Sequence, residues 1–442
     1  MSDRTTGLPL LLLPGGFRYW SFGWTGDPMS DGRPTPARHD GMGVVGGSVR
    51  GRTPAVLIRN HEVDLGAPIV EGADGPVYDP VVVPPVLDGV PPEGAPLGGG
   101  TTRIRFGYRR WLDAEPALGG TITNCAGGIA PWGAWLTCEE AVADAGPLGG
   151  KVHGWVFEVP AEGTASAVAL EAMGLMDHEA VAVDPRTGIV YETEDNGPAC
   201  GFYRFLPDDP LGGPRSLEAG GRLQMLKVVG ADNADLRRVA EGDAFDVEWV
   251  DIAEPAMLPE GTENGVTYGG ASGPFQQGAA GGGATFFRGE GAWYFDGVVY
   301  FVDTGGGELG GPGGVWAYEP DAERLTAIFV SSGEAEADSP DNITVSPTGG
   351  IVLCEDGSYD AATDIGNRLL ALGADGETRV LAANNVNLTE PVVDRPLIEP
   401  ADYRGREFAG ACFDPSGQYL FCNIQTPGIT FAITGPWHRY GL

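Results

Sequence analysis

A chain of 442 residues that is 42% hydrophobic and 20% charged can bury a large core, and its 61 acidic against 27 basic residues give a formal charge of −34. That balance argues against nucleic acid or an anionic membrane surface as partner, because both are held by clustered Lys and Arg, and it is compatible with cation binding. The 72 glycines and 36 prolines are spread between apolar runs, which is the mark of many tight turns and so of β structure.

From the N-terminus, "LPLLLLP" is far short of the roughly 20 apolar residues of a membrane span. A loose strand-turn-strand unit follows near residues 47–62, "GSVRGRTPAVLIRNHE", and a clearer one at 124–140, "NCAGGIAPWGAWLTCEE". The best defined is "HEAVAVDPRTGIVYETED", where Pro185 presets φ and Gly188 tolerates positive φ in the turn. Residues 208–283 fit this pattern least: "NADLRRVAEG" reads as a possible helix and "YGGASGPFQQGAAGGG" as a flexible loop without the Lys-Ser/Thr ending of a phosphate-cradling loop. Three more units close the chain, "EGAWYFDGVVYFVDTG", "PDNITVSPTGGIVLCEDG" and "EFAGACFDPSGQYLFCNIQ". Outer strands such as "GWVFEVP", "GFYRFLP", "GVWAYEP" and "NRLLALG" follow them. The expectation is an all-β, six-bladed β-propeller with a loop-rich insertion at 208–283, the alternative being a pair of β-sandwiches. Residues 1–25 read as an N-terminal segment and 26–442 as one domain.

Six cysteines, Cys125, Cys138, Cys200, Cys354, Cys412 and Cys422, show no CxxC spacing, so neither a zinc ribbon nor a small disulfide scaffold is indicated. Residues equidistant from a hairpin turn lie opposite one another. This places His178 opposite Glu194 with Glu179 and Asp195 at the same open end, Asp341 opposite Glu355, Glu290 opposite Asp303 and Glu407 opposite Gln425. It also places Asn124 opposite Glu139 and Cys125 opposite Cys138. Acids and a thiol thus fall at open hairpin ends, which would converge on one rim if the inner strands run in one direction. Clustered carboxylates repel and need cations. Hard cations take oxygen donors while a thiolate suits a softer or redox-active metal, so Cys125 points to a mixed site. A Cys125–Cys138 disulfide, or buried thiols, accounts for the spacing equally well. Trp132, Trp135 and Trp293 read as packing residues.

Together, "NCAGGIAPWGAWLTCEE", "HEAVAVDPRTGIVYETED", "FRGEGAWYFDGVVYF", "PDNITVSPTGG" and "EFAGACFDPSGQYLFCNIQTPG" resemble the PhoX family of alkaline phosphatases from about residue 26 to the C-terminus. The resemblance implies a six-bladed propeller and a phosphatase that uses two Fe3+ ions and several Ca2+ ions joined by a bridging oxo group. By motif, Cys125 would be the iron thiolate, and Glu140 and Glu179 further iron or bridging ligands. Glu62, Asp195, Glu290, Asp341, Asn342 and Glu407 would be calcium or mixed ligands. Arg288, beside Glu290 in "RGEG", would clamp the phosphoryl oxygens, and these two are the catalytic candidates. Two departures stand out. The family is typically periplasmic or secreted through a twin-arginine signal, and none begins this sequence. The short loops before "GLMDHEA" leave less insertion around the site than the family has.

The expected function is therefore metal-dependent hydrolysis of a small-molecule phosphoester by a monomer with no membrane span. The alternatives are a calcium-stabilised propeller that binds a partner without catalysis, and a calcium-dependent lactonase, which leaves Cys125 unexplained.

Overall fold

A computed structural model describes every residue except 52, 71–74, 86–89, 108, 211, 262–267, 308–309 and 360–364. The described chain is almost wholly β, with a single α-helix, Gly273–Ala280. Its sheets form a propeller-like arrangement: four radial sheets of three to five antiparallel strands, and one nine-stranded sheet. Each radial sheet begins on an inner hairpin, and these hairpins are the apolar alternating runs legible in the sequence. The inner strands are His39–Gly46, Asn124–Ala130, Pro340–Val345 and Phe408–Phe413, while the nine-stranded sheet has an inner strand at either end, His178–Val183 and Gly289–Phe295. These six pack side by side in a closed ring, so that Phe408–Phe413 meets His39–Gly46 again. Both strands within the first 25 residues complete sheets: Leu11–Leu12 pairs with Thr378–Asn384, and Arg18–Phe22 with Ile429–Thr434.

Apolar faces of neighbouring sheets close on one another. Between the nine-stranded sheet and the next, Val302, Val315 and Phe329 meet Ile343, Leu353 and Leu370, all buried. Each such side chain contributes about 1.5–3 kcal/mol by leaving water.

The expected insertion at 208–283 is corrected. Gly221–Val228 and Ala244–Asp251 are regular strands that carry the nine-stranded sheet across this region, the latter pairing with Arg324–Val330. "NADLRRVAEG" forms turns, and the helix falls inside the stretch expected as a loop, where Ser272 caps it by accepting from the Phe275 amide. Residues 211 and 262–267 of that stretch lie outside the described residues.

The inner strands share a feature that constant register hides. Each carries a β-bulge near its N-terminal end, where two residues face one on the partner. Pairing skips from His39 to Met42, Asn124 to Gly127, His178 to Val181, Gly289 to Ala292, Pro340 to Ile343 and Ala409 to Cys412. The first bulged residues are therefore Asp40, Cys125, Glu179, Glu290, Asp341 and Gly410. His178 does oppose Glu194, and Asn124 opposes Glu139. Gln425 N donates to Glu407 O, as the register predicts. The bulges correct the rest: Glu355 lies opposite Pro340 instead of Asp341, Asp303 opposite Gly289 instead of Glu290, and Cys138 opposite the Cys125–Ala126 bulge.

Gly410 is the one bulge without a functional side chain. Its φ is +58°, and a Cβ there would collide with the Asp40 carbonyl and lie 2.8 Å from Asn423 Nδ2. Gly410→Ala is expected to destabilise the fold by about 2–5 kcal/mol, from left-handed strain plus overpacking. Chemical denaturation checks this; a loss below about 0.5 kcal/mol would show that the bulge can be rebuilt.

Candidate metal centre

Because all six bulges lie at the same end of their strands, the first side chains of the five other than Gly410 meet near the axis. Donor atoms group into four triads, each with its atoms within 4.8 Å of one another: Cys125, Glu140 and Glu179; Glu179, Glu290 and Asp341; Asp341, Asp356 and Glu407; and Asp40, Glu62 and Glu407. Glu179, Asp341 and Glu407 are each shared between two triads, so nine residues form one continuous chain. A cavity of about 280 Å³ opens on it, lined by these acids and Cys125 (Glu179 lying behind them), and by Arg38, Arg288, Arg406, Gly405 and Gln425.

Burial and repulsion dominate the electrostatics. Burial pushes the carboxyls of Asp40, Glu140, Glu179, Glu290 and Glu407 well above the ordinary range, and neighbouring carboxylates push them further. Asp341 is pushed up to about 7, first by burial and then by Asp356. The Cys125 thiol is raised by burial, with Asp40, Glu140 and Glu179 adding to it. Both carboxylate oxygens of Glu179 are buried without a hydrogen-bond partner. Fully buried acids are normally satisfied. Orphaned oxygens facing a thiol and further acids are what a cation would satisfy, so the donor set fits bound metal.

Of the sequence candidates, Glu62, Cys125, Glu140, Glu179, Glu290, Asp341 and Glu407 are brought together. Asp195 and Asn342 belong to neighbouring roles. Asp195 takes a bidentate contact from Arg288, Nε to Oδ1 at 2.9 Å and Nη2 to Oδ2 at 2.7 Å. Asn342 Nδ2 donates to Asp341 at 2.6 Å and its Oδ1 accepts from the Gly410 amide at 2.7 Å, which joins two bulges. Two members of the cluster were missed, Asp40 and Asp356. The pair "DG" in "HDGMGVVG" is a ligand-plus-small signal like "CA", "EA" and "EG" in three of the other five bulges, and could have found Asp40. Arg288 itself sits at φ +60°, a conformation that costs about 1–2 kcal/mol and that its pairing helps to hold. Besides Asp195 it contacts Glu290 at 3.0 Å, and its Nη1 has no partner among the described residues.

The adjacent glutamates of "CEE" have opposite fates. Glu140 joins the cluster, whereas Glu139 turns away and is fully satisfied. Its Oε1 accepts from Ile122 N at 3.0 Å and meets His153 Nδ1 at 2.7 Å, and its Oε2 accepts from Gly154 N and Trp155 N. His153 also meets Asp79 at 3.3 Å. Trp132 and Trp135 are packing residues with satisfied indoles, Trp135 donating to Asn60.

Acids gathered at the axis of a propeller-like all-β fold make this protein a candidate metalloprotein. Its sequence places it more closely: the chain belongs to the PhoX family, whose family model, described as alkaline phosphatase PhoX, matches residues 3–115 and 99–428. No curated protein matches the chain. Among solved structures it is similar to a gluconolactonase from Xanthomonas campestris, at 13% identity over 91% of this chain and 96% of that one, with a TM-score of 0.35. It is also similar to the PQQ domain of a pyranose dehydrogenase from Coprinopsis cinerea, at 11% identity over 98% of each chain, with a TM-score of 0.34.

All six cysteines are free and buried. Thiol titration of unfolded, metal-free, unreduced protein is therefore expected to count six, and a count lower by two with the 125 and 138 peptides linked would restore the disulfide. Cys125→Ala is expected to lose bound metal that Cys138→Ala retains.

A second test uses pH. Burial opposes charge on His153, but Glu139 and Asp79 outweigh it and raise its pKa to about 9. The pair then stabilises the fold fully below the unfolded value of about 6.5, and the benefit fades as pH rises through 9. The expected loss between these limits is of order 3 kcal/mol. His153→Gln should flatten the dependence of Tm on pH over that window; an unchanged slope would show that His153 stays neutral.

Proposed function

We propose that the chain is a six-bladed propeller, its nine-stranded sheet being two blades joined edge to edge, and a metal-dependent phosphoric monoester hydrolase of the alkaline phosphatase type. The observation that carries this is one cavity in which a thiol and linked carboxylate triads stand beside an arginine with an open guanidinium edge. Family membership supports it. Cys125, Glu140 and Glu179 would hold iron, and Asp40, Glu62, Glu290, Asp341, Asp356 and Glu407 would hold calcium or complete mixed sites. When bound, such ions supply positive charge and Lewis acidity toward phosphoryl oxygens.

The chain's own residues orient the substrate. Asp195 and Glu290 fix the guanidinium plane of Arg288, and Nη1 remains to donate to a phosphoryl oxygen. A contact made to the ground state strengthens as charge redistributes in the transition state, so Arg288 serves both binding and rate. Asp195 holds Arg288 and is a positioning residue.

One observation favours a non-catalytic calcium module: Arg288 is already paired with two acids. Kinetics on metal-verified protein separate the readings. For a phosphatase, Arg288→Ala should lower kcat/KM by roughly thirty- to a thousandfold, equivalent to about 2–4 kcal/mol, with metal content unchanged. Arg288→Lys should recover only part, since an ammonium cannot reproduce the fork. A change within about threefold, with a lower Tm, would remove Arg288 from the site. Elemental analysis showing calcium without iron would favour the binding module.

A further inference from the structure

The cavity has three arginines, and they differ in how far the protein has already used them. Arg288 is tied to Asp195 and Glu290. Arg38 is paired with Glu62 at 3.2 Å. Arg406 lines the same cavity, is exposed, and its guanidinium makes no hydrogen bond or ion pair with any described residue. Its backbone, by contrast, is pinned at both ends of the peptide unit: its N–H donates to Tyr403 O at 2.9 Å, and its carbonyl accepts from Asn384 Nδ2 at 2.9 Å. Its charge is felt by Asp356 through space, so a fixed backbone here carries a cation whose donors remain open to an added anion.

Size and lining narrow what fills it. The cavity of about 280 Å³ must take the proposed ions as well as the reacting phosphoryl group, so what is left admits only a short organic remainder. Among the described residues, no aromatic or aliphatic side chain lines the space. An aryl group or a nucleobase would find no apolar surface to bury against, whereas a small charged remainder would meet a guanidinium fork suited to carboxylate or phosphate.

We propose that Arg406 is a specificity-determining residue that binds a second anionic group on the alcohol side of the substrate, so that the site takes small aliphatic phosphomonoesters carrying a carboxylate or further phosphate. This rests on the phosphoester reading above. Arg288 holds the reacting phosphoryl group and Arg406 the remote anion. Arg38, held by Glu62, contributes field without a direct contact.

Two phosphonates that cannot be hydrolysed test this by calorimetric titration of the metal-loaded protein as purified. 3-Phosphonopropionate carries the second anion, and propylphosphonate has a similar chain without it. The wild type is expected to prefer 3-phosphonopropionate by at least about fivefold, a difference near 1 kcal/mol. Arg406→Ala should abolish the preference and leave propylphosphonate affinity unchanged, and Arg406→Lys should keep part of it. A smaller wild-type preference, a preference that survives in Arg406→Ala, or an equal loss of both ligands would overturn the proposal. So would binding of neither phosphonate. Release of inorganic phosphate from propyl phosphate by the same sample then tells the two failures apart: if it proceeds, only the role of Arg406 falls; if it does not, the phosphoester reading falls too.

Discussion

Repulsion among acids at the axis is the constraint that the rest of the molecule must answer. Two unit charges at 4.8 Å repel by roughly 3–4 kcal/mol at an effective dielectric of about 20. A few such pairs match the whole stability of an ordinary domain, about 5–15 kcal/mol. The cluster therefore cannot stand fully ionised on its own. It either holds protons, as the raised pKa values indicate, or exchanges them for cations. Folding places the acids; counter-charge makes the placement tolerable.

The placement is achieved by distorting strands, and the distortion is itself braced. A bulge disrupts the ladder locally, leaving backbone groups to be satisfied by other means. Asn60 Nδ2 donates to the carbonyls of Cys125 and Ala126, Thr193 Oγ1 to that of Glu290, and Asn423 Nδ2 to that of Asp40. Each brace comes from the second strand of one hairpin and reaches the bulge of the next inner strand around the ring. Asn342 performs the reciprocal task by accepting from Gly410. The second bulged residue is also small in five of the six, Asn342 being the exception. A Cβ on Gly41 would lie 2.8 Å from Cys125 O, and one on Gly291 2.8 Å from the Asn342 Cα. Polar bracing, small residues and acid placement are thus parts of one repeated device.

Much of this was legible in the sequence and some was not, for identifiable reasons. Hairpins such as "AVAVD" with "IVYETE" announce themselves through alternation and turn chemistry, and five members of the cluster follow from their open ends, Glu62 and Glu140 coming from the family resemblance alone. Constant register, however, assumes an undistorted ladder. It fails one residue beyond each bulge, which is why Asp341, Glu290 and Cys125 received the wrong partners. Asp40 escaped because Gly41, Gly43 and Gly46 make its strand read as a turn, which shifted the expected hairpin downstream onto the loop after Gly46. Asp356 escaped because it follows its strand instead of lying in it. The strands of 221–251 were hidden by glycine-rich flanks and by charged residues on a half-exposed face.

Charge balance links the buried cluster to its exposed rim. The nine grouped residues would carry about nine negative charges if all were ionised by metal, more than two trivalent ions neutralise, and calcium beside iron, as proposed, would supply the remainder. Arginines cannot replace those ions at the centre, because a guanidinium has no lone pair to share and is too large for the space between donor oxygens. They can act only at the edge, where Arg38, Arg288 and Arg406 stand. The edge is also where the overall charge of −34 would repel an anionic substrate most, since exposed charges act across about a Debye length of 8–10 Å. A guanidinium already paired with an acid adds little net attraction at that range. Arg406, exposed and without a hydrogen bond or ion pair among the described residues, keeps its donors open for a second anion at close range, and so it is the rim residue whose removal should be felt by a substrate carrying that anion and not by the fold.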